Sequence, residues 1–296
     1  MQDPTHKLKD LKPEQDFFVG IDSDGCVFDS MEIKHKECFC PNFINHFELQ
    51  PVSKFAREAW DFVNLYSKTR GVNRFQALIH ALDLLRVRKE VLDRGANIPE
   101  LQGVRDWIAR ETKLGNPALK NEVEKHAPHP DLVLTYAWSF DVNEAVKKIV
   151  RNVPPFPLVK ECLEKINQKA DSIVVSQTPF DTLEREWTEN KIDHLVRLIA
   201  GQEMGTKTEH ISLAAKGKYP SQRILMIGDA PGDLKAARAN EALFYPIIPG
   251  REEESWKRLT EEALDKFFSE NYAGEYENQL VEKFNQCLPE RAPWEP

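Results

Sequence analysis

Four segments of the chain run from an apolar stretch straight into small, acidic or basic residues. They are Phe17-Phe-Val-Gly-Ile-Asp22-Ser-Asp24-Gly25, Ser172-Ile-Val-Val-Ser176-Gln177-Thr178, the stretch from Gly201 to Lys207, and Ile224-Leu-Met-Ile-Gly228-Asp229-Ala-Pro-Gly-Asp233. Taken singly, each has a plain structural reading. Asp-x-Asp-Gly makes a turn, Gly-Asp-x-x-Gly-Asp starts a capped helix, Ser176 ends a strand and Lys207 is a solvated lysine. Taken together and in this order they predict a single site, because each would stand at the end of a buried strand. Carboxylates from Asp22, Asp24, Asp229 and Asp233 converging there would repel one another and be costly to desolvate, so a cation must sit among them. Mg²⁺ suits that place, since it takes oxygen ligands and is held by few carboxylates plus a substrate phosphate. With the anionic repulsion relieved, a carboxylate can attack phosphorus and form an aspartyl-phosphate.

The elements that must position these residues are legible in the apolar patterning. Short branched-residue runs at Phe17 to Ile21, Ser172 to Val175, Leu195 to Ala200, Arg223 to Ile227 and Ala242 to Ile248 read as buried strands. Helical patterns at Val159 to Lys169, Thr182 to Asn190 and Asp233 to Asn240 alternate with them, which predicts a parallel sheet covered on both faces. Between about 31 and 153 the apolar residues repeat at helical spacing instead. Phe55, Ala59, Phe62, Val63 and Tyr66 share one face with Ser53 as cap; Phe75, Leu78, Ile79, Leu82 and Leu85 share another. Weaker patterns carry Leu101, Val104, Trp107 and Ile108, then Val142, Val146 and Ile149. Val153-Pro-Pro-Phe-Pro157 ends the pattern, since proline cannot continue a helix. The expected fold is α/β, a Rossmann-like three-layer parallel sheet core over 1–30 and 154–250, an inserted all-α domain over 31–153, and a charged helical extension over 251–296.

A formal net charge of −8 opposes nucleic-acid binding, which needs a positive surface. No apolar run is long enough to cross a bilayer, and the first fifteen residues lack the apolar core of a signal peptide, so a cytoplasmic protein without membrane contact is expected. Five scattered cysteines do not make a disulfide framework, and Cys38 and Cys40, without a second pair, read as packing residues rather than zinc ligands. Oligomeric state is not legible.

From about Phe17 to Pro249, the order of the four motifs resembles the haloacid dehalogenase-like hydrolase superfamily, in its branch with a helical cap inserted after the first motif. The resemblance implies that Asp22 is the nucleophile, and that Asp24 protonates the leaving group and then activates water while its backbone carbonyl holds the metal. It implies that Ser176, with Gln177 beside it, binds the phosphoryl oxygens and that a lysine neutralises charge. Lys207 fits that lysine better than Lys216 and Lys218, which lie nearer the fourth strand in what reads as a surface turn. Asp229 would bind Mg²⁺ directly together with Asp22, and Asp233 directly or through water. Asp24 separates this chain from dehalogenase-like relatives, which lack an acid there, and favours phosphate esters; a leaving-group acid contributes on the order of 10²–10⁴ in rate. The implied activity is a Mg²⁺-dependent phosphatase acting on a small phosphorylated metabolite. Two alternatives stand beside it, a sugar phosphomutase and a catalytically idle relative that binds a metabolite or protein. Arg70-Gly-Val-Asn-Arg74 is similar to a mutase segment whose arginine grips a distal phosphate, which makes Arg74 a candidate substrate ligand. Against the mutase, the histidine expected five residues after Asp29 falls on Lys34, with His35 one place late.

Overall fold

The computed structural model describes residues 3–295, so the first two residues and the last one of the ranges drawn from the sequence lie outside the described residues. The chain divides into two compact units. One runs up to Met31 and resumes over Asn152–Leu288; the other comprises Glu32–Arg151 and the chain from Pro289 onward.

The first unit is built on five parallel strands, β1 (Phe17–Ile21), β2 (Ala170–Val175), β3 (Leu198–Ala200), β4 (Ile224–Gly228) and β5 (Leu243–Pro246), in the order β3-β2-β1-β4-β5. Alternation along the strands sends side chains to opposite faces. Phe17, Val19, Ile21, Leu225 and Ile227 pack with the helices Val159–Asn167 and Phe180–Glu189, while Phe18, Ile173, Val175 and Met226 pack with Lys207–Ala214 and Pro231–Ala239. The third strand is shorter than the apolar run predicts. Asp193–Leu195 forms a 3₁₀ turn in which the Leu195 N–H donates to the Ile192 carbonyl, so pairing begins only at Leu198.

The edge strand β5 is covered by the tail. The Phe244 N–H donates to Glu277 Oε1 at 2.9 Å, and its carbonyl accepts the Tyr272 hydroxyl at 2.7 Å. Satisfying both groups leaves that residue unable to pair with a foreign strand. The helix Glu252–Arg258 passes through a π-helical stretch, Leu259–Ala263, into Leu264–Phe268, and Glu275–Cys287 follows.

In the second unit the helices Ser53–Asn64, Arg74–Val87, Gln102–Arg110, Asn116–Val123 and Pro130–Ile149 surround an aromatic core of Phe43, Trp60, Phe75, Trp107 and Trp138. Two expectations fail locally. Ser53 does not cap its helix, because the turn Gln50–Val52 runs into it and makes Ser53 the first helical residue. Tyr66 leaves the apolar face, because the helix ends at Asn64; its hydroxyl donates to Glu32 Oε1 at 2.6 Å. The last residues return to this unit. Trp294 packs edge-on against Phe62 at 5.7 Å and over the Arg88 guanidinium at 4.3 Å, so the extension read as one piece from the sequence is divided at Leu288. Cys38 and Cys40 are buried.

Candidate active site

The strand order reverses direction between β1 and β4, and an open parallel sheet offers its crevice beyond the carboxyl ends of the strands at such a point. Asp22 follows β1 and Asp229 follows β4. The Asp22 N–H donates to the Ile227 carbonyl at 2.9 Å, which carries the pairing of the two strands one residue into the motif. Asp233 stands in the first turn of the helix Pro231–Ala239 and turns back, its Oδ2 accepting the Ala230 N–H at 3.0 Å. The three carboxylates of Asp22, Asp229 and Asp233 are buried, and one oxygen from each lies within 4.8 Å of the others. Gly228 permits this approach: a Cβ there would fall 2.3 Å from the Asp233 Cγ.

Lys207 answers part of the charge. Its Nζ lies 2.7 Å from Asp22 Oδ2 and 2.7 Å from Asp233 Oδ1. The lysine opens the helix Lys207–Ala214, whose start is fixed by Thr206 Oγ1 accepting the Glu209 N–H while the Thr206 N–H donates to Glu209 Oε2. Burial would lower the Lys207 pKa, but the Asp22 and Asp233 carboxylates override it and raise it. Asp22 is pushed up to about 6 by burial, with Lys207 opposing and Asp229 adding to the rise; Asp233 is also pushed up to about 6, by burial and then by Asp22. One turn after Lys207, the buried His210 is lowered to about 4 by desolvation and then by Lys207, so it is neutral and offers no further positive charge. The cluster therefore holds more negative than positive charge.

Asp24 stands apart from these three. Its Oδ2 accepts the Thr178 hydroxyl at 2.7 Å and its Oδ1 accepts the Ser30 hydroxyl. A hydroxyl donates or accepts as needed, so the same two partners can serve either protonation state of the carboxyl. Ser176 is buried at the end of β2, where its Oγ accepts the Thr178 N–H at 3.2 Å. Gln177 is exposed, and its side-chain amide donates to the Gly205 carbonyl at 2.9 Å. Lys218 donates to the Leu8, Lys9 and Leu11 carbonyls, and Lys216 lies 3.6 Å from Glu241; neither reaches Asp22.

Arg74 belongs to the other unit. There its guanidinium stacks on Phe39 at 4.9 Å and donates to Ser139 Oγ at 3.1 Å and Asn143 Oδ1 at 2.8 Å. Desolvation lowers its pKa to about 10, with no carboxylate contributing. Of the mutase-like positions, Lys34 is buried in the π-helix Lys34–Phe39, and His35 stacks on Phe39 at 4.8 Å. Sequence reasoning missed Thr178 and Ser30 as partners of Asp24. Thr178 lies three residues past the end of its strand run, which was a usable signal; nothing in the sequence marked Ser30 for the part.

A family model described as haloacid dehalogenase-like hydrolase matches residues 112–245. The match begins in the helical unit and runs to β5, so β1 and Asp22 precede it. Comparison with curated proteins gives no match. Among solved structures, a haloacid dehalogenase-like hydrolase from Streptococcus pneumoniae is similar at 13% identity and a TM-score of 0.45, over 81% of this chain and 90% of that one. A putative phosphoglycolate phosphatase from Lactobacillus delbrueckii is similar at 13% identity and 0.44, over 78% and 85%. CbbY from Rhodobacter sphaeroides, in complex with phosphate, is similar at 13% identity and 0.40, over 77% and 85%. The matched segment supplies β2, β3, β4 and most of β5 of a sheet that has Asp22 at the end of its central strand and Asp229 beside it, and over residues 112–245 the chain is similar to the haloacid dehalogenase-like hydrolases.

Proposed function

We propose that the chain is a Mg²⁺-dependent phosphatase that hydrolyses a small phosphate monoester through an aspartyl-phosphate on Asp22. One observation carries the reading: the buried carboxylates of Asp22, Asp229 and Asp233 bring one oxygen each within 4.8 Å of the others, and Lys207 pairs with two of them, Asp22 and Asp233. Such a group favours a bound cation, since burial without compensation is costly. The donors also fit the metal, because Mg²⁺ binds oxygen at about 2.0–2.1 Å, which separates its ligands by about 3–4 Å. Asp22, Asp229 and Asp233, with the Asp24 backbone carbonyl, are the residues proposed to hold it, and bound Mg²⁺ would supply neutralisation of the charge between nucleophile and phosphate.

The remaining chemistry falls to this chain's own side chains. An Asp22 oxygen attacks phosphorus as the bond from phosphorus to the ester oxygen breaks, and the leaving oxygen takes a proton from Asp24. Water then gives its proton to Asp24 and attacks the same phosphorus, breaking the bond to Asp22 and releasing phosphate. Lys207 holds Asp22 in place and offsets charge on the phosphoryl group. Ser176 and Gln177 are the proposed donors to its oxygens. Arg74 is the proposed anion-binding group of the helical unit, its guanidinium held by the Phe39 ring, Ser139 Oγ and Asn143 Oδ1.

The test is phosphate release from a panel of small esters with and without Mg²⁺, in wild type, Asp22→Asn and Asp24→Asn. Metal-dependent release that is lost in Asp22→Asn and falls by about 10²–10⁴ in Asp24→Asn is expected. Release that persists undiminished in Asp22→Asn, or its absence from wild type on every ester, overturns the reading.

A further inference from the structure

The loop bearing Asp22 and Asp24 is folded on itself. The Ser23 carbonyl accepts the N–H groups of Cys26, Val27 and Phe28, and Gly25 takes a φ of 75°, which glycine adopts freely. Two indoles tie this turn to the rest of the unit. Trp187 Nε1 donates to Ser23 Oγ at 3.0 Å, and Trp256 Nε1 donates to the Cys26 carbonyl at 2.8 Å. Both rings are fully buried and share an apolar cluster with Cys26, Val27 and Phe28.

Trp256 stands on the tail helix Glu252–Arg258, outside the segment that the family model matches. That helix is itself pinned to the end of β5. The Tyr245 hydroxyl donates to the Ser255 carbonyl at 2.6 Å, and Ser255 Oγ accepts the Ile248 N–H at 3.1 Å. Buried polar contacts thus run without a break from β5 through the tail helix to the turn that carries both aspartates.

We propose that Trp256 is a positioning residue of the hydrolytic site, its indole N–H holding the Cys26 carbonyl and through it the turn that sets Asp24 against Asp22. The inference rests on the phosphatase reading for what the turn is positioned to do. A buried carbonyl that loses its donor draws the backbone toward another partner, and a displacement near 1 Å at a reacting group costs on the order of a hundredfold in rate. Tyr272 and Glu277, also in the tail, bond to Phe244 and provide the contrast of a contact that serves the sheet edge alone.

Two substitutions separate positioning from packing. Trp256→Phe keeps a buried ring and removes the donor to the loop; Tyr272→Phe removes a buried donor to Phe244 in the same tail. Trp256→Phe is expected to lower kcat about tenfold at unchanged KM, change the pH profile of kcat, and speed amide exchange at Val27 and Phe28. Tyr272→Phe is expected to lower Tm comparably with kcat, pH profile and loop exchange at wild-type values. Wild-type kcat and loop exchange in Trp256→Phe, or kcat falling in both variants in step with Tm, overturns the proposal. If wild type releases no phosphate from any ester, the phosphatase reading fails on its own, and exchange decides the anchoring: faster at Val27 and Phe28 in Trp256→Phe alone supports it, and equal rates in the two variants overturn it.

Discussion

Replacing Asp22 by asparagine should make the metal-free protein more stable at neutral pH while abolishing turnover. Burial moves the Asp22 carboxyl from its ordinary 3.8 to about 6, even with Lys207 at 2.7 Å. At pH 7 the ionised group therefore costs the folded state up to about 3 kcal/mol, at roughly 1.4 kcal/mol per pH unit of displacement. The sign follows from proton binding. Between pH 4 and 6 the folded protein holds a proton that the unfolded chain releases, so stability falls as pH rises through that window. Below pH 4 both states are protonated and the cost vanishes. Asp22→Asn removes the charge, keeps the side-chain volume and relieves Asp233 of a like neighbour. The assay is denaturant unfolding in the presence of a chelator at pH 7.5, 5.5 and 4. The Asp22→Asn variant is expected to be more stable than wild type by about 1–3 kcal/mol at pH 7.5, with the gain shrinking toward pH 4. Added Mg²⁺ should stabilise wild type more than the variant and narrow the gap. An equal or lower stability at pH 7.5, or a difference independent of pH, would refute the account of the site as an excess of buried negative charge.

Two further substitutions probe the geometry. Gly228→Ala places a Cβ 2.3 Å from the Asp233 Cγ, so Asp233 must give up its contacts with Lys207 and the Ala230 N–H; the Mg²⁺ concentration for half-maximal activity should rise about 10–100-fold with circular dichroism unchanged. Thr178→Val removes the hydroxyl on Asp24 Oδ2 at nearly constant shape and should lower kcat about tenfold with KM unchanged, read from steady-state kinetics on the best ester.

The sheet was legible because its signal is local. Phe17 to Ile21 and Ile224 to Ile227 are continuous apolar runs, as strands buried on both faces require, and both are followed by the acidic residues that the carboxyl ends present. The helix at Arg74–Val87 was legible for the same reason, with Phe75, Leu78, Ile79, Leu82 and Leu85 all buried at helical spacing. Boundaries were not. Ser53 looks like a cap in sequence, yet the preceding turn decides where the first helical N–H lies. His80, flanked by apolar residues in sequence, is exposed, because the helix turns it away from them.

By itself, then, the sequence determined which residues stand at strand ends, since strand and side-chain type are set within a few residues of chain. Only the tertiary structure decided which of those residues meet. Asp22, Asp229 and Asp233 come within 4.8 Å of one another because β1 pairs with β4 and Gly228 leaves room for Asp233. Lys207 rather than Lys216 or Lys218 reaches them because a capped helix starts at that residue, and Trp256 reaches the turn that follows Asp22 from 230 positions along the chain. A hydrogen bond needs a donor within about 3 Å, and no spacing in a linear sequence encodes a distance across a sheet.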